Sequence, residues 1–290
     1  MRIAVVGTGA IGATFAAALE RAGHTGLVLC ARTPRELTVE RDGEPPQALT
    51  APTVTNPEEA GGRADWVLLA VKAHQTAGAA PWLEELAGPG TVVVVLQNGV
   101  EQRELVTPLA RGAAVLPSVV WVPAEVAAPG RVRQRGPVAL TVPDGPEGRA
   151  LQGLLRDGVT VSDDFATVAW HKLAVNAVAG LMVLARRRAG MFARADVAEL
   201  ARAYAEEVFA VARAAGADPS PGAVGELLAY YRDLPGDLGT SMLFDAEAGR
   251  ALEWEARNGV VRRLGALHEI PTPISDVVVP LLAAASEPMG

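Results

Sequence analysis

Lys172 and Asn176 stand four residues apart in an apolar run that also holds Trp170, Leu173 and Val175. On a helix, that spacing puts both side chains on one face. A lysine in such surroundings is a candidate proton donor. Its ammonium can meet the negative charge that grows on a carbonyl oxygen under hydride attack, and can deliver a proton to it. Burial or a neighbouring cation would bring its acidity from the usual pKa of about 10.4 toward neutrality. Pattern alone also allows Lys172 to be a lysine snorkelling from a half-buried helix. Asn176 needs partners if buried, so it reads as a ligand contact or as a core amide bonded to a loop. Glu253 and Arg257 repeat the four-residue spacing, which is equally that of an ordinary surface ion pair. Ser241 precedes a helical pattern and could cap it.

A second set of residues lies near the amino end. Gly7-Thr8-Gly9-Ala10-Ile11-Gly12 forms a GxGxxG directly after the strand-like run Ile3 to Val6 and opens a helical pattern. Gly7 suits a tight turn, Gly9 lets the backbone approach a pyrophosphate at the helix N-terminus, and Gly12 lets helix and sheet pack closely. After the next strand the chain reads Leu29-Cys30-Ala31-Arg32-Thr33, with no acid before Glu36 to bind a free ribose hydroxyl. Arg32 is placed to meet a 2'-phosphate, with Arg35 in support, which favours NADP over NAD. Lys72 and Asn98 each follow a later strand, at the carboxyl edge where such sheets bind ligands; otherwise they are a loop lysine and a turn asparagine.

The elements that must position these residues divide the chain in two. Strand-like runs at Ile3–Val6, Leu27–Ala31, Trp66–Val71, Thr91–Leu96 and Ala113–Val122 are continuous and rich in Val and Leu, as parallel strands covered on both faces are. They alternate with helical patterns such as Ala10 to Arg21. A hairpin is expected over Arg131 to Val142 and a short strand at Val159 to Val161. From Asp164 onward the pattern is helical: to about Arg188, over Ala193 to Ala215, over Pro221 to Arg232 with Ser220 as cap, over Asp245 to His268, and over Ile274 to Ala285. The fold class is therefore α/β: an N-terminal Rossmann-type doubly wound sheet in a dinucleotide-binding domain, 1–163, then an all-helical C-terminal domain for substrate and dimerisation, 164–290.

Composition narrows the function. With 290 residues, half of them hydrophobic, the chain can bury one large core or two modest ones. A net charge of -7 argues against nucleic acid; the run Arg186-Arg187-Arg188 reads as a solvated helix face. The single cysteine, Cys30, excludes a disulfide framework within one chain. No two histidines have metal-ligand spacing, so no metal is expected. The apolar run Leu173 to Ala185 is too short to span a bilayer, no signal peptide is evident, and a cytoplasmic protein without a membrane partner is expected.

These residues resemble the ketopantoate reductases (2-dehydropantoate 2-reductases) along the whole chain. Gly7 to Gly12, Val71-Lys72-Ala73, Gln97-Asn98-Gly99-Val100, Trp170 to Asn176, and Thr240-Ser241-Met242-Leu243 through Glu253 carry the resemblance. It implies reduction of the ketone of 2-dehydropantoate by NADPH, with Lys172 as general acid and Glu253 as the acid that positions substrate and lysine. It implies further that Asn98 lies between cofactor and substrate, that Lys72 is near them, and that Asn176 and Ser241 bind polar groups of the substrate. One departure stands out. Gly180 occupies the position of a second asparagine, one helical turn after Asn176, and is expected to open space for a larger substrate or one lacking a hydroxyl. The expectation is an NADPH-dependent reductase of a small 2-keto acid, with a homodimer as the candidate assembly. The alternatives are the same machinery acting on another ketone or an imine, and an NADP(H)-binding regulator without turnover.

Overall fold

The structure, a computed structural model, describes residues 1–287. The chain forms two compact units, Met1–Phe165 and Ala166–Gly290. In the first, the strands are β1 (Ile3–Val6), β2 (Leu27–Cys30), β3 (Thr38–Arg41), β4 (Gln47–Ala48), β5 (Thr53–Val54), β6 (Trp66–Leu69), β7 (Val92–Val95), β8 (Ala114–Pro117), β9 (Val119–Val120), β10 (Ala124–Ala128), β11 (Arg131–Gln134), β12 (Leu140–Pro143) and β13 (Val159–Ser162). Six of them make one all-parallel sheet in the order β5-β2-β1-β6-β7-β8. Winding reverses at β1, so the loops after β1 and β6 flank the point where doubly wound sheets take ligands.

Alternation along the strands fills both faces of this sheet. Ile3, Val5, Leu27, Leu29 and Leu68 pack with Phe15 and Leu19 of helix α1 (Ala10–Arg21). Ala4, Val6, Val67, Leu69, Val93 and Val95 pack on the other side with Trp82, Leu83 and Leu86 of helix α2 (Ala80–Leu86) and with Val106 of helix α3 (Gln102–Val106). Helix α4 (Pro146–Leu155) adds Leu151, Leu154 and Leu155 to the first core.

The structure corrects two expectations in this unit. The run over Ala113 to Val122 is not one strand: it breaks at Ser118, and β9 joins β12 and β13 in a separate three-stranded sheet. Ser118 diverts the chain, since its N–H bonds Gln102 Oε1 and its hydroxyl bonds the Val95 carbonyl. Nor is there a hairpin over Arg131 to Val142. Instead β11 pairs with β10 antiparallel and with β3 parallel, in a four-stranded sheet with β4. Pro137 lies between β11 and β12, where it can donate no ladder hydrogen bond.

The second unit is helical: α5 (Phe165–Ala185), α6 (Ala195–Ala214), α7 (Ala223–Asp233), α8 (Ser241–Glu247), a π-helical turn (Glu255–Gly259) running into α9 (Val260–Leu267), and α10 (Pro273–Ala285). With 21 residues, α5 is long and apolar enough to cross a bilayer, unlike the shorter run expected from sequence, but two-thirds of its most apolar window is buried within the protein. The single helix expected over Asp245 to His268 is broken. Gly249, at φ +62, ends α8, and the Arg250 N–H turns back to the Asp245 carbonyl. Helix α7 starts after a turn at Pro221–Gly222, with Gly222 rather than Ser220 as its cap. The Arg186-Arg187-Arg188 run lies beyond α5, not on it; Arg188 pairs with Glu247 at 2.8 Å and covers the Phe244 ring.

Candidate active site

Two clusters of polar residues stand out, one in each unit. In the first, the turn after β1 has the shape a pyrophosphate requires. Gly7 has φ +98, and a Cβ there would come within 2.7 Å of the Val71 nitrogen. A Cβ on Gly12 would lie 1.8 Å from the Gly7 carbonyl oxygen, so no larger residue lets α1 start here. Gly9, by contrast, is exposed and faces open space: a Cβ there would meet nothing within 4 Å. Gly9 is the N-cap of α1, and the helix opens with no side-chain cap and no acid in its first turn. Thr8, Ala10 and Ile11 complete the turn. Open backbone at a helix N-terminus fits a dinucleotide phosphate. Arg32 is exposed just past β2, and Arg35 lines a cavity of about 410 Å³ with Leu29, Leu37 and Leu49.

Lys72 and Asn98, both half-buried, follow β6 and β7. A buried network that sequence reasoning missed ties their loops together. The Gln97 amide donates to the Val71 carbonyl at 3.0 Å and to the Thr76 hydroxyl at 2.8 Å. Gln102 donates to the Gln97 carbonyl and, at 2.9 Å, to the Ser118 carbonyl, while accepting from the Ser118 N–H at 2.7 Å. The loops carrying Lys72 and Asn98 are thus braced against the ends of β7 and β8. Buried glutamines are the only hint of this in the sequence, and nothing in their spacing distinguishes them from surface residues.

In the helical unit, Lys172 and Asn176 come from one face of α5, with Lys172 half-buried and Asn176 4% exposed. The residue that joins this cluster together is Arg257, also 4% exposed, from the π-helical turn. Its Nη2 donates to Asn176 Oδ1 at 2.5 Å and its Nη1 to Ser241 Oγ at 3.4 Å. Glu253 lies just before the turn and is buried, so it and Arg257 are no surface pair. The charges of Glu253 and Asp245 offset the burial of the Arg257 cation; Asp245 also holds Arg250 at 2.8 Å. Ser241 does not cap α8 with its side chain. Thr240 does so, accepting the Leu243 N–H at 3.4 Å, which leaves the Ser241 hydroxyl for Arg257. Burial first, and the positive charge of Arg257 second, lower the pKa of Lys172 to about 7.

The open space expected at Gly180 is not there. A Cβ on Gly180 would lie 2.9 Å from Nδ2 of Asn258 and 3.1 Å from Leu282. Asn258, fully buried, donates to the Ala177 carbonyl and to the Tyr204 hydroxyl, each at 2.9 Å. An amide from the π-helical turn therefore fills the position, and the motive for a larger substrate falls away. Among the described residues, no three His, Cys, Asp or Glu side chains are grouped to hold a metal ion.

The family model "Ketopantoate reductase PanE/ApbA" matches residues 3–147, and its C-terminal companion, "Ketopantoate reductase PanE/ApbA C terminal", matches residues 164–286. The 2-dehydropantoate 2-reductase of Mycobacterium tuberculosis is 51% identical over 292 residues, covering 99% of each chain. Among solved structures, a PanE/ApbA family ketopantoate reductase from Ralstonia eutropha superimposes with a TM-score of 0.90 at 29% identity, over 99% of this chain and 98% of that one. The dimeric ketopantoate reductase of Staphylococcus aureus gives the same TM-score of 0.90 at 25% identity, over 99% of both chains.

Proposed function

The chain belongs to the ketopantoate reductase family, and we propose that it reduces the ketone of 2-dehydropantoate to the alcohol of pantoate with NADPH, a step of pantothenate biosynthesis. Family and fold together imply a nicotinamide cofactor; its identity as NADPH rests on Arg32 and on the lack of an acid before Glu36. When bound, NADPH supplies the hydride. The Gly7 to Gly12 turn, including Thr8, Ala10 and Ile11, holds its pyrophosphate against the start of α1. Arg32 meets the 2'-phosphate, Lys72 and Asn98 hold the cofactor from the neighbouring strand ends, and Asn98 is also a candidate substrate contact.

Lys172 is the general acid. As the ketone carbon gains hydride, the carbonyl π electrons move to oxygen, and that oxygen takes a proton from the Lys172 ammonium. The neutral amine is then reprotonated from solvent. What supports this role is the placement of Lys172 on the face of α5 that carries Asn176, which Arg257 ties to Ser241; burial and the Arg257 charge there lower the lysine pKa to about 7, within reach of proton transfer at neutral pH. Asn176 and Ser241 hold polar groups of the substrate. Glu253 positions substrate and lysine and, next to Arg257, lets a buried cation persist in the cluster. The cytoplasm is the proposed compartment, and a homodimer the proposed assembly, by analogy with the dimeric enzyme of S. aureus.

A panel of 2-keto acids followed by loss of NADPH absorbance tests this reading. The expected result is fastest turnover of 2-dehydropantoate, with NADPH favoured over NADH and that preference abolished in Arg32→Ser. Absence of turnover with every 2-keto acid, despite tight NADPH binding, would leave a dinucleotide-binding regulator instead.

A further inference from the structure

We propose that the outward face of α10 is where a second copy of this chain docks, helix against helix about a two-fold axis. The inference rests on the homodimer proposed above and names the surface that forms it. Along α10, Pro273, Val277, Pro280, Leu281, Ala284 and Ala285 are exposed, and all six are apolar. At helical spacing they form one stripe; Val277 and Leu281 within it are 60% and 52% exposed. The opposite side, with Val278, Val279 and Leu282, is buried. A helix apolar on all sides belongs inside a protein, and with 13 residues α10 is too short to span a bilayer. Nor can the stripe turn inward. Glu207 of α6 accepts the N–H groups of Ile274 and Ser275 at 2.7 and 2.9 Å, together with the Ser275 hydroxyl, and so fixes the start of the helix.

Charge and area both favour a second copy as the occupant. Contact about a two-fold axis brings a surface against itself, so a stripe carrying one sign of charge would repel its own image, and an uncharged one does not. At the edge of the stripe Asp276 bonds Arg262 of α9 at 2.8 Å, with both side chains exposed. A rim holding both signs can pair with its own image across the axis. A membrane surface would instead call for lysine or arginine along the helix, and the charged residue of α10 is an aspartate in a chain of net charge -7. The helix is about 20 Å long and 10–12 Å wide, so half its lateral surface is roughly 300–400 Å². That matches the largest apolar patches of soluble monomers, which are often functional, but stable interfaces begin near about 600 Å² per partner. Helix α9, joined through Arg262, supplies the rest. Ala266 lies one turn beyond Arg262, Leu267 beside it is 71% exposed, and this helix adds on the order of 200 Å². An interface of that size makes a dimer that comes apart on dilution rather than a permanent one.

The buried side of α10 packs on the π-helical turn, so substitutions in the exposed stripe leave the Arg257 cluster in place. The test is sedimentation velocity of the full chain over about a thousandfold dilution. The expected result is a dimer at the concentrated end and a monomer at the dilute end. Val277→Asp and Leu281→Asp each put an unpaired carboxylate into the contact and should raise the dimer dissociation constant by at least about 100-fold. Circular dichroism and NADPH titration check that each variant is folded. Leu105→Asp, at an exposed site on α3, controls for added charge alone and should dimerise as the intact protein does. Mixing Leu281→Asp with Leu281→Lys should restore a dimer that neither forms by itself, because the axis brings the two stripes together. Folded stripe variants that dimerise like the intact protein would overturn the proposal and leave the homodimer to another surface. An intact protein that stays monomeric throughout would refute the homodimer itself. Its co-sedimentation with phosphatidylglycerol vesicles, lost in Leu281→Asp, would then give the stripe to a membrane instead.

Discussion

Lys172 holds its ammonium against two opposing effects, burial and the charge of Arg257, which together bring its pKa from 10.5 to about 7. A lysine tolerates that and an arginine does not, since a guanidinium stays charged above pH 12. Lys172→Arg should therefore keep the charge but lose the acid, lowering turnover by about 10²- to 10⁴-fold in steady-state assays while NADPH titrations stay unchanged. Stability should move the other way. The folded pKa is depressed, so between about pH 7 and 10.5 the unfolded chain binds the proton more tightly, and stability rises with pH through that window. Below it the whole penalty is present. Lys172→Met should remove the penalty and raise stability at pH 7 by on the order of 1 kcal/mol, read from urea unfolding. The sequence contained a signal for this residue that helical spacing did not use. Of its 26 lysines and arginines only Lys72 and Lys172 are lysines, and both fall in the clusters described above.

At the scale of elements, the most exposed part of the account is the buried network that fixes the loops after β6 and β7. Gln102→Leu would remove the partners of the Ser118 N–H and carbonyl and of the Gln97 carbonyl. Leaving such groups buried and unmatched should cost about 2–4 kcal/mol in denaturant unfolding, with a higher KM for NADPH as Lys72 and Asn98 lose their support. This network was illegible beforehand because its members lie far apart in sequence and meet only across strand ends. The elements that could be read were those with strong local causes: the Val- and Leu-rich parallel strands, the glycine turn, and α1, α5, α6, α7 and α10. Helix α4 and the short strands β3 to β5 lacked such a pattern. The break between Asp245 and His268 was hidden for a related reason. The residues there repeat at helical spacing, but Gly249 in the left-handed region ends α8, and the π-helical turn that follows brings Arg257 and Asn258 into the core. π-helical turns recur at functional sites, and here the turn delivers the side chain that reaches both Asn176 and Ser241. Glu253–Arg257 spacing alone pointed to the surface, and only burial shows otherwise.

At the scale of the whole molecule, each unit has its own polar cluster, and the proposed duties differ: the parallel sheet would offer open backbone to a phosphate, and the helical unit an ammonium to the reacting oxygen. A net charge of -7 makes these local cations more notable, since both proposed ligands are anions. The claim on which the account depends is that Lys172 donates the proton. The most direct measurement is kcat/KM for NADPH-dependent reduction of 2-dehydropantoate as a function of pH, which reports the ionisation of the free enzyme. The account predicts a plateau on the acid side and a tenfold fall per pH unit above about 7, with that limb missing from the residual activity of Lys172→Arg. A rate that stays level well above that point, or the same limb persisting in the arginine variant, would contradict it.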